Sequence, residues 1–136
     1  MKRFLLFFLF SINSCYFTSF DSMDFDEGFV VKLTENNKVK IIWDKEKYKH
    51  NYHNIEKGLI LKTKNDPKND YDVIAEISYL NYFCYIDENV TSNNTYYYRI
   101  ILVVTVEHKR TDANNNTITE YKTENHISTP KGVKIP

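Results

Sequence analysis

From Phe29 onward, apolar and polar positions alternate with a period of two. "KVKIIWD", residues 38–44, sets Val39, Ile41 and Trp43 on one face and Lys38 and Lys40 on the other. That is the pattern of a strand with one buried side. "FVVKL" ahead of it reads as a short first strand, joined through the turn "TENN". In "IEKGLILKT", Ile55, Leu59 and Leu61 share one phase and are expected to point inward together. "KNDPKND", with Asp66-Pro67, interrupts the pattern as a turn. "YDVIAEISYL" and "YFCYIDENV" supply weaker strands, and "TYYYRIILVVTVEHK" is the longest strand. "RTDANNNT" reads as a loop, and "ITEYKTENHIST" as a last strand ended by Pro130. About seven short strands, with turn signals between them and no helical period, predict an all-β antiparallel sandwich.

Composition changes this picture at two points. With only 3 glycines and 3 prolines, the turns fall to Asn, Asp and Ser. Those residues bond their own backbone and tolerate left-handed conformations. Lys+Arg and Asp+Glu both number 18, so no overall field recruits nucleic acid or an acidic membrane.

The first residues follow another rule. "MKRFLLFFLFSINSCYFTSF" opens with Lys2 and Arg3, runs apolar from Phe4 to Ile12, then turns small and polar. That order predicts a secretory signal over residues 1–19. The apolar block is far shorter than the roughly 20 residues a membrane-spanning helix needs. Residues 20–28 are expected to be a flexible acidic lead-in, residues 29–130 the domain, and residues 131–136 a tail. Removing Cys15 with the leader means that no disulfide is expected, and packing carries stability. The expected location is the secretory lumen or the cell exterior, with no transmembrane span.

"YIDENVTSNNTYYYRI" carries a family resemblance: an aspartate, an apolar Val90, a short turn, then a tyrosine opening a strand. With "KVKIIWD", "EKGLILKT" and "HISTP", this stretch resembles a fibronectin type III module over Phe29 to Pro130. The departures are Ser92, where the family has a proline, a missing proline in the first strand, and a longer, more charged second connection. The resemblance implies a seven-stranded immunoglobulin-like sandwich in which Tyr96 pins the corner between the fifth and sixth strands. A tyrosine there can bury its ring and return its hydroxyl to upstream backbone where the chain leaves both ladders. Trp43, Leu59, Leu61, Val90, Tyr96, Tyr98 and Ile100 are the expected core.

No catalytic set emerges. His50 and His53 stand three apart, but no Cys pair or His-Glu-x-x-His pattern completes a metal site. No Gly-x-Ser-x-Gly elbow or glycine-rich phosphate loop is present. The chain reads as a non-enzyme without metal or cofactor. Asn89, Asn93 and Asn115 begin Asn-x-Ser/Thr sequons, so a glycoprotein is expected. The candidate binding surface joins two loops at one end: Lys45, Lys47, Tyr48, Lys49, His50, Tyr52 and His53 with His108, Lys109 and Arg110. Cations interleaved with tyrosines suit an acidic protein or glycan partner. The expected function is a secreted protein-interaction or adhesion module; the alternative is a constitutive subunit of a larger secreted or membrane-associated complex.

Overall fold

The computed structural model describes residues 28–47, 54–78 and 82–136. The expected signal, most of the lead-in, and Tyr48, Lys49, His50, Tyr52 and His53 lie outside the described residues. Eight strands are present: β1 (Phe29–Leu33), β2 (Val39–Asp44), β3 (Asn54–Lys64), β4 (Asp72–Ile77), β5 (Tyr82–Asp87), β6 (Thr95–Thr111), β7 (Thr117–Ile127) and β8 (Lys131–Lys134). They form two antiparallel sheets. The smaller runs β1-β2-β5; the larger runs β4-β3-β6-β7, with β8 also paired to β6.

One core lies between the sheets. Phe29, Val39, Ile41, Trp43 and Phe83 enter it from the smaller sheet, and Ile60, Tyr98, Ile100, Leu102 and Val104 from the larger. Trp43 is fully buried and stacks on Phe83 with ring centroids 5.9 Å apart. Burying an aromatic pair of this kind removes a large apolar area from water and adds favourable ring contact.

The turns are made by asparagine. Asn37, Asn65, Asn93 and Asn115 all adopt positive φ, and no other non-glycine residue does among those described. Aspartates assist: Asp44, Asp66, Asp87 and Asp112 each accept a backbone N–H from two residues on. These side-chain turns take the place of the missing glycines.

Three expectations are corrected. In β3 the residues turned toward the core cluster are Ile55, Ile60 and Lys62; Leu59 is half-buried on the other face, and Leu61, on that face too, is buried at 8 % exposure but outside the cluster. The cause is an irregularity in the β3–β6 register between Ile55 and Lys57. One extra residue in a strand flips every later side chain to the other face. Residues 131–136 are no tail: β8 pairs Thr95–Tyr98 of β6, and Ile135 is 1 % exposed in the core. The last edge is split in two because Ser128 interrupts it, its hydroxyl accepting the Ile100 N–H at 2.9 Å. Finally, β6 runs on to Thr111, so His108, Lys109 and Arg110 are strand residues and the loop shrinks to Asp112–Asn116. The expected absence of a disulfide turns on Cys15, which lies outside the described residues.

Candidate functional site

The corner between β5 and β6 is densely hydrogen-bonded. Tyr96 is 4 % exposed, and its hydroxyl oxygen accepts the Thr91 N–H at 2.9 Å and lies 3.1 Å from the Thr91 hydroxyl. Val90 is buried beneath it. Asn94 braces the same turn, its side-chain amide donating to the Thr91 hydroxyl at 2.7 Å. The C-terminal segment closes over the corner, with Asn93 N–H donating to the Ile135 carbonyl and Ile135 N–H to that of Asn94. Burial alone would raise the Tyr96 phenol, but the Thr91 hydrogen bonds and the Lys64 and Lys62 charges outweigh it and leave its pKa lowered.

Beside Tyr96 lies a charged cluster centred on Asp87, which the sequence analysis did not single out. Asp87 is 3 % exposed. One carboxylate oxygen accepts the Tyr98 hydroxyl at 2.6 Å and faces the Lys62 ammonium at 2.7 Å; the other accepts the Asn89 N–H. Lys62 also donates to the Asn89 carbonyl and sits 4.8 Å from the centre of the Tyr96 ring. Every polar partner is satisfied, the condition under which a buried charge is tolerated. Burial, then the Asp87 hydrogen bond and charge, push the Tyr98 pKa far upward. The signal was present in the alternation: Phe83, Tyr85 and Asp87 share a phase, so an inward Phe83 implies an inward Asp87.

An open cleft of about 630 Å³ adjoins this cluster, lined by Lys62, Lys64, Asp70, Asp72, Asn89 and Tyr96 among others. Its functional groups are engaged in the corner itself, with Lys62 and Tyr96 both committed to structural hydrogen bonds. Among the described residues, no group of three His, Cys, Asp or Glu side chains is placed to hold a metal.

The basic end is more dispersed than expected. Lys45 and Lys47 are exposed in a short 3-10 turn after β2. His108 and Arg110 face one side of β6 and Lys109 the other, as strand geometry requires. Each has an acidic neighbour: Arg110 with Glu120 at 2.9 Å, His108 with Glu124 at 3.8 Å, and Lys109 with Glu107 at 3.8 Å. These pairs divide the positive charge between two faces of a hairpin. The sequons at Asn89, Asn93 and Asn115 are all exposed, the first two at the corner and the third in the β6–β7 turn at the far end.

What sequence reasoning missed is an apolar band on the outer face of the larger sheet. Leu59 lies opposite Ile101, and Ile101 opposite Ile127, while Leu61 lies opposite Val73. Val73 is 58 % exposed and Ile127 54 %, whereas Leu59 and Ile101 are half-buried and Leu61 is 8 % exposed. The flip of β3 places Leu59 and Leu61 here, so a face expected to be polar crosses four strands with aliphatic side chains. Tyr121, farther along β7 on the same face, is also largely exposed. Comparison with known proteins identifies no relative: no family model, curated protein or solved structure matches this chain.

Proposed function

We propose that this chain is a secreted, non-catalytic module of the fibronectin type III kind that binds another protein. Two features support the module. The order β1-β2-β5 against β4-β3-β6-β7 follows the A-B-E and C′-C-F-G arrangement of that family. The Tyr96 hydroxyl bonded to Thr91 corresponds to the family's corner. The signal-like first residues support export.

The observation that carries binding is the aliphatic band through Val73, Leu61, Leu59, Ile101 and Ile127. The exposed ends of this row, Val73 and Ile127, suit a contact surface, because leaving them in water forgoes about 25 cal/mol for each Å² that a partner would cover. This moves the binding surface from the basic loops to the larger sheet. A second reading, a constitutive subunit, draws on β7: among the described residues it pairs only with β6, leaving the other edge of an 11-residue strand for addition of a partner strand.

The test compares the wild-type chain with Val73→Glu/Ile127→Glu, both changes at exposed positions. Native extracellular material is captured on each, with thermal unfolding confirming that both are folded. Specific partners retained by wild type should be lost from the variant. Retention unchanged by the variant, but abolished when Lys45, Lys47, Lys109 and Arg110 become serine, would return the site to the basic end.

A further inference from the structure

β7 is an outer strand of the larger sheet: among the described residues it pairs with β6 alone. Two bonds fix which of its backbone groups face β6. Asp112 N–H donates to the Asn116 carbonyl and Ser128 N–H to that of Ile100, both at 2.9 Å. Between them the register runs from Thr111 opposite Thr117 to Ile101 opposite Ile127 without a shift. Hydrogen-bonded and non-hydrogen-bonded pairs alternate along an antiparallel ladder. Even-numbered residues of β7 therefore exchange bonds with β6, and Thr119, Thr123 and Asn125 turn N–H and C=O toward the opposite edge. A strand added at that edge would pair with these residues.

Charge decides which strand fits. Along one face β7 reads Glu120, Lys122, Glu124, His126. Lys122 is exposed and takes no part in the ion pairs that occupy Arg110, Lys109 and His108 beside it. A lysine on an edge strand ordinarily blocks an incoming strand. Here the strand is complementary to itself. Set antiparallel to a copy about a two-fold axis at Thr123, each Lys122 falls opposite Glu124 of the copy. Each Glu120 falls opposite the copy's His126, which already lies 3.0 Å from Glu124 of its own strand. Thr123 meets Thr123, and Thr119 meets Ile127. Opposite charges and threonine pairs are favourable across strands, and like charges are not. An axis at Lys122 would set Lys122 against itself and Glu120 against Glu124, and one at Glu124 would set two glutamates together. An axis at Tyr121 would oppose Ile118 to Glu124. Charge selects Thr123.

We infer that two copies of this chain associate through β7, antiparallel about a two-fold axis at Thr123, and so join their larger sheets into one. The same strand serves both sides, so the contact is isologous and closes at two copies. The inference rests on the second reading above, a module that takes on a partner strand, and names that strand as its own. Val73, on β4 at the opposite end of the sheet, lies away from this edge.

Sedimentation equilibrium of the purified chain tests this, and the expected result is a monomer–dimer equilibrium. Lys122→Glu should raise the dimer's Kd about tenfold or more. Lys122→Glu/Glu124→Lys sets opposite charges across the axis again and should recover it. Thr123→Pro removes an N–H that faces away from β6, a change an outer strand tolerates; it should abolish the dimer while urea unfolding shows the fold retained. A chain that stays monomeric up to about 1 mM overturns the inference. So does a dimer that is indifferent to Lys122→Glu, that the charge exchange fails to restore, or that survives Thr123→Pro but is lost in Val73→Glu. A monomeric chain whose capture of another protein is abolished by Thr123→Pro would overturn self-pairing alone and leave the strand-addition reading standing. A monomer whose captures ignore Thr123→Pro would sink both.

Discussion

Removing the carboxylate of Asp87 is the sharpest perturbation of the corner. In Asp87→Ala the Tyr98 hydroxyl, fully buried, loses the acceptor it holds at 2.6 Å. An unsatisfied buried donor costs about 1–3 kcal/mol. The Lys62 ammonium also loses its counter-ion, but its side chain is 14 % exposed and keeps the Asn89 carbonyl. Its share therefore falls below the roughly 3–5 kcal/mol of a fully enclosed broken pair. The combined expectation is about 2–4 kcal/mol. Lys62→Met should cost about 1–3 kcal/mol, because Asp87 keeps two donors but loses the cation. The double variant should cost less than the sum by at least about 1 kcal/mol, since the second change removes the charge that the first had stranded. Urea unfolding at pH 7 measures all three, and Trp43, the single tryptophan, reports through its fluorescence. Unchanged m-values would confirm that the same surface is exposed in each. Asp87→Ala costing less than about 1 kcal/mol, or single losses that simply add, would refute the picture of one coupled cluster.

Two further predictions concern the tyrosines. Tyr96→Phe keeps the ring but removes the oxygen that accepts the Thr91 N–H, and should cost about 1 kcal/mol in the same urea assay; no loss would mean that water replaces the bond freely. Tyr98 gives a pH dependence of known sign. Its folded pKa lies well above the ordinary tyrosine value near 10, so the unfolded chain releases the proton first. The stabilisation is complete below about pH 10 and is lost above it, at up to about 1.4 kcal/mol per pH unit. Tyr98→Phe should lose stability less steeply than wild type between about pH 10 and 11, and equal slopes in paired urea titrations would reject the assignment.

Sequence pattern reached the class of the fold because Val39, Ile41 and Trp43 of β2 and every second residue of β6 keep one phase, and because asparagine and aspartate turns punctuate the chain as glycine would. It failed where two patterns fitted equally well. "GLILKT" in β3 has aliphatic residues in both phases, so parity alone cannot say which set is inward. The register irregularity after Ile55 decides the matter, and it is fixed by pairing with β6 rather than by local preference. An inward Lys62 looks wrong in a strand read in isolation. It becomes acceptable only with Asp87, Asn89 and Tyr96 around it, and those partners come from other elements. The last residues were misread for a related reason. Pro130 ends the alternation, yet Ile135 is held by backbone bonds to Asn93 and Asn94, which no local signal announces.

The same non-local logic explains why the candidate surface moved. Lys109 and Arg110 were legible as charges, but their acidic neighbours Glu107 and Glu120 reduce what they offer a partner, and Glu120 becomes a neighbour only through the β6–β7 register. Leu59 and Leu61 were legible as apolar, but their face was not. Once the irregularity turns them outward, a sheet face that could have been polar carries an aliphatic row in which Leu61 is buried and the ends, Val73 and Ile127, are more than half exposed. Burial in the core does not account for Val73 and Ile127, since neither belongs to the core cluster. Under the proposed function these exposed ends are where a partner protein would sit, and the glutamate variants at those two positions test that proposal without disturbing the corner that holds the sheets together.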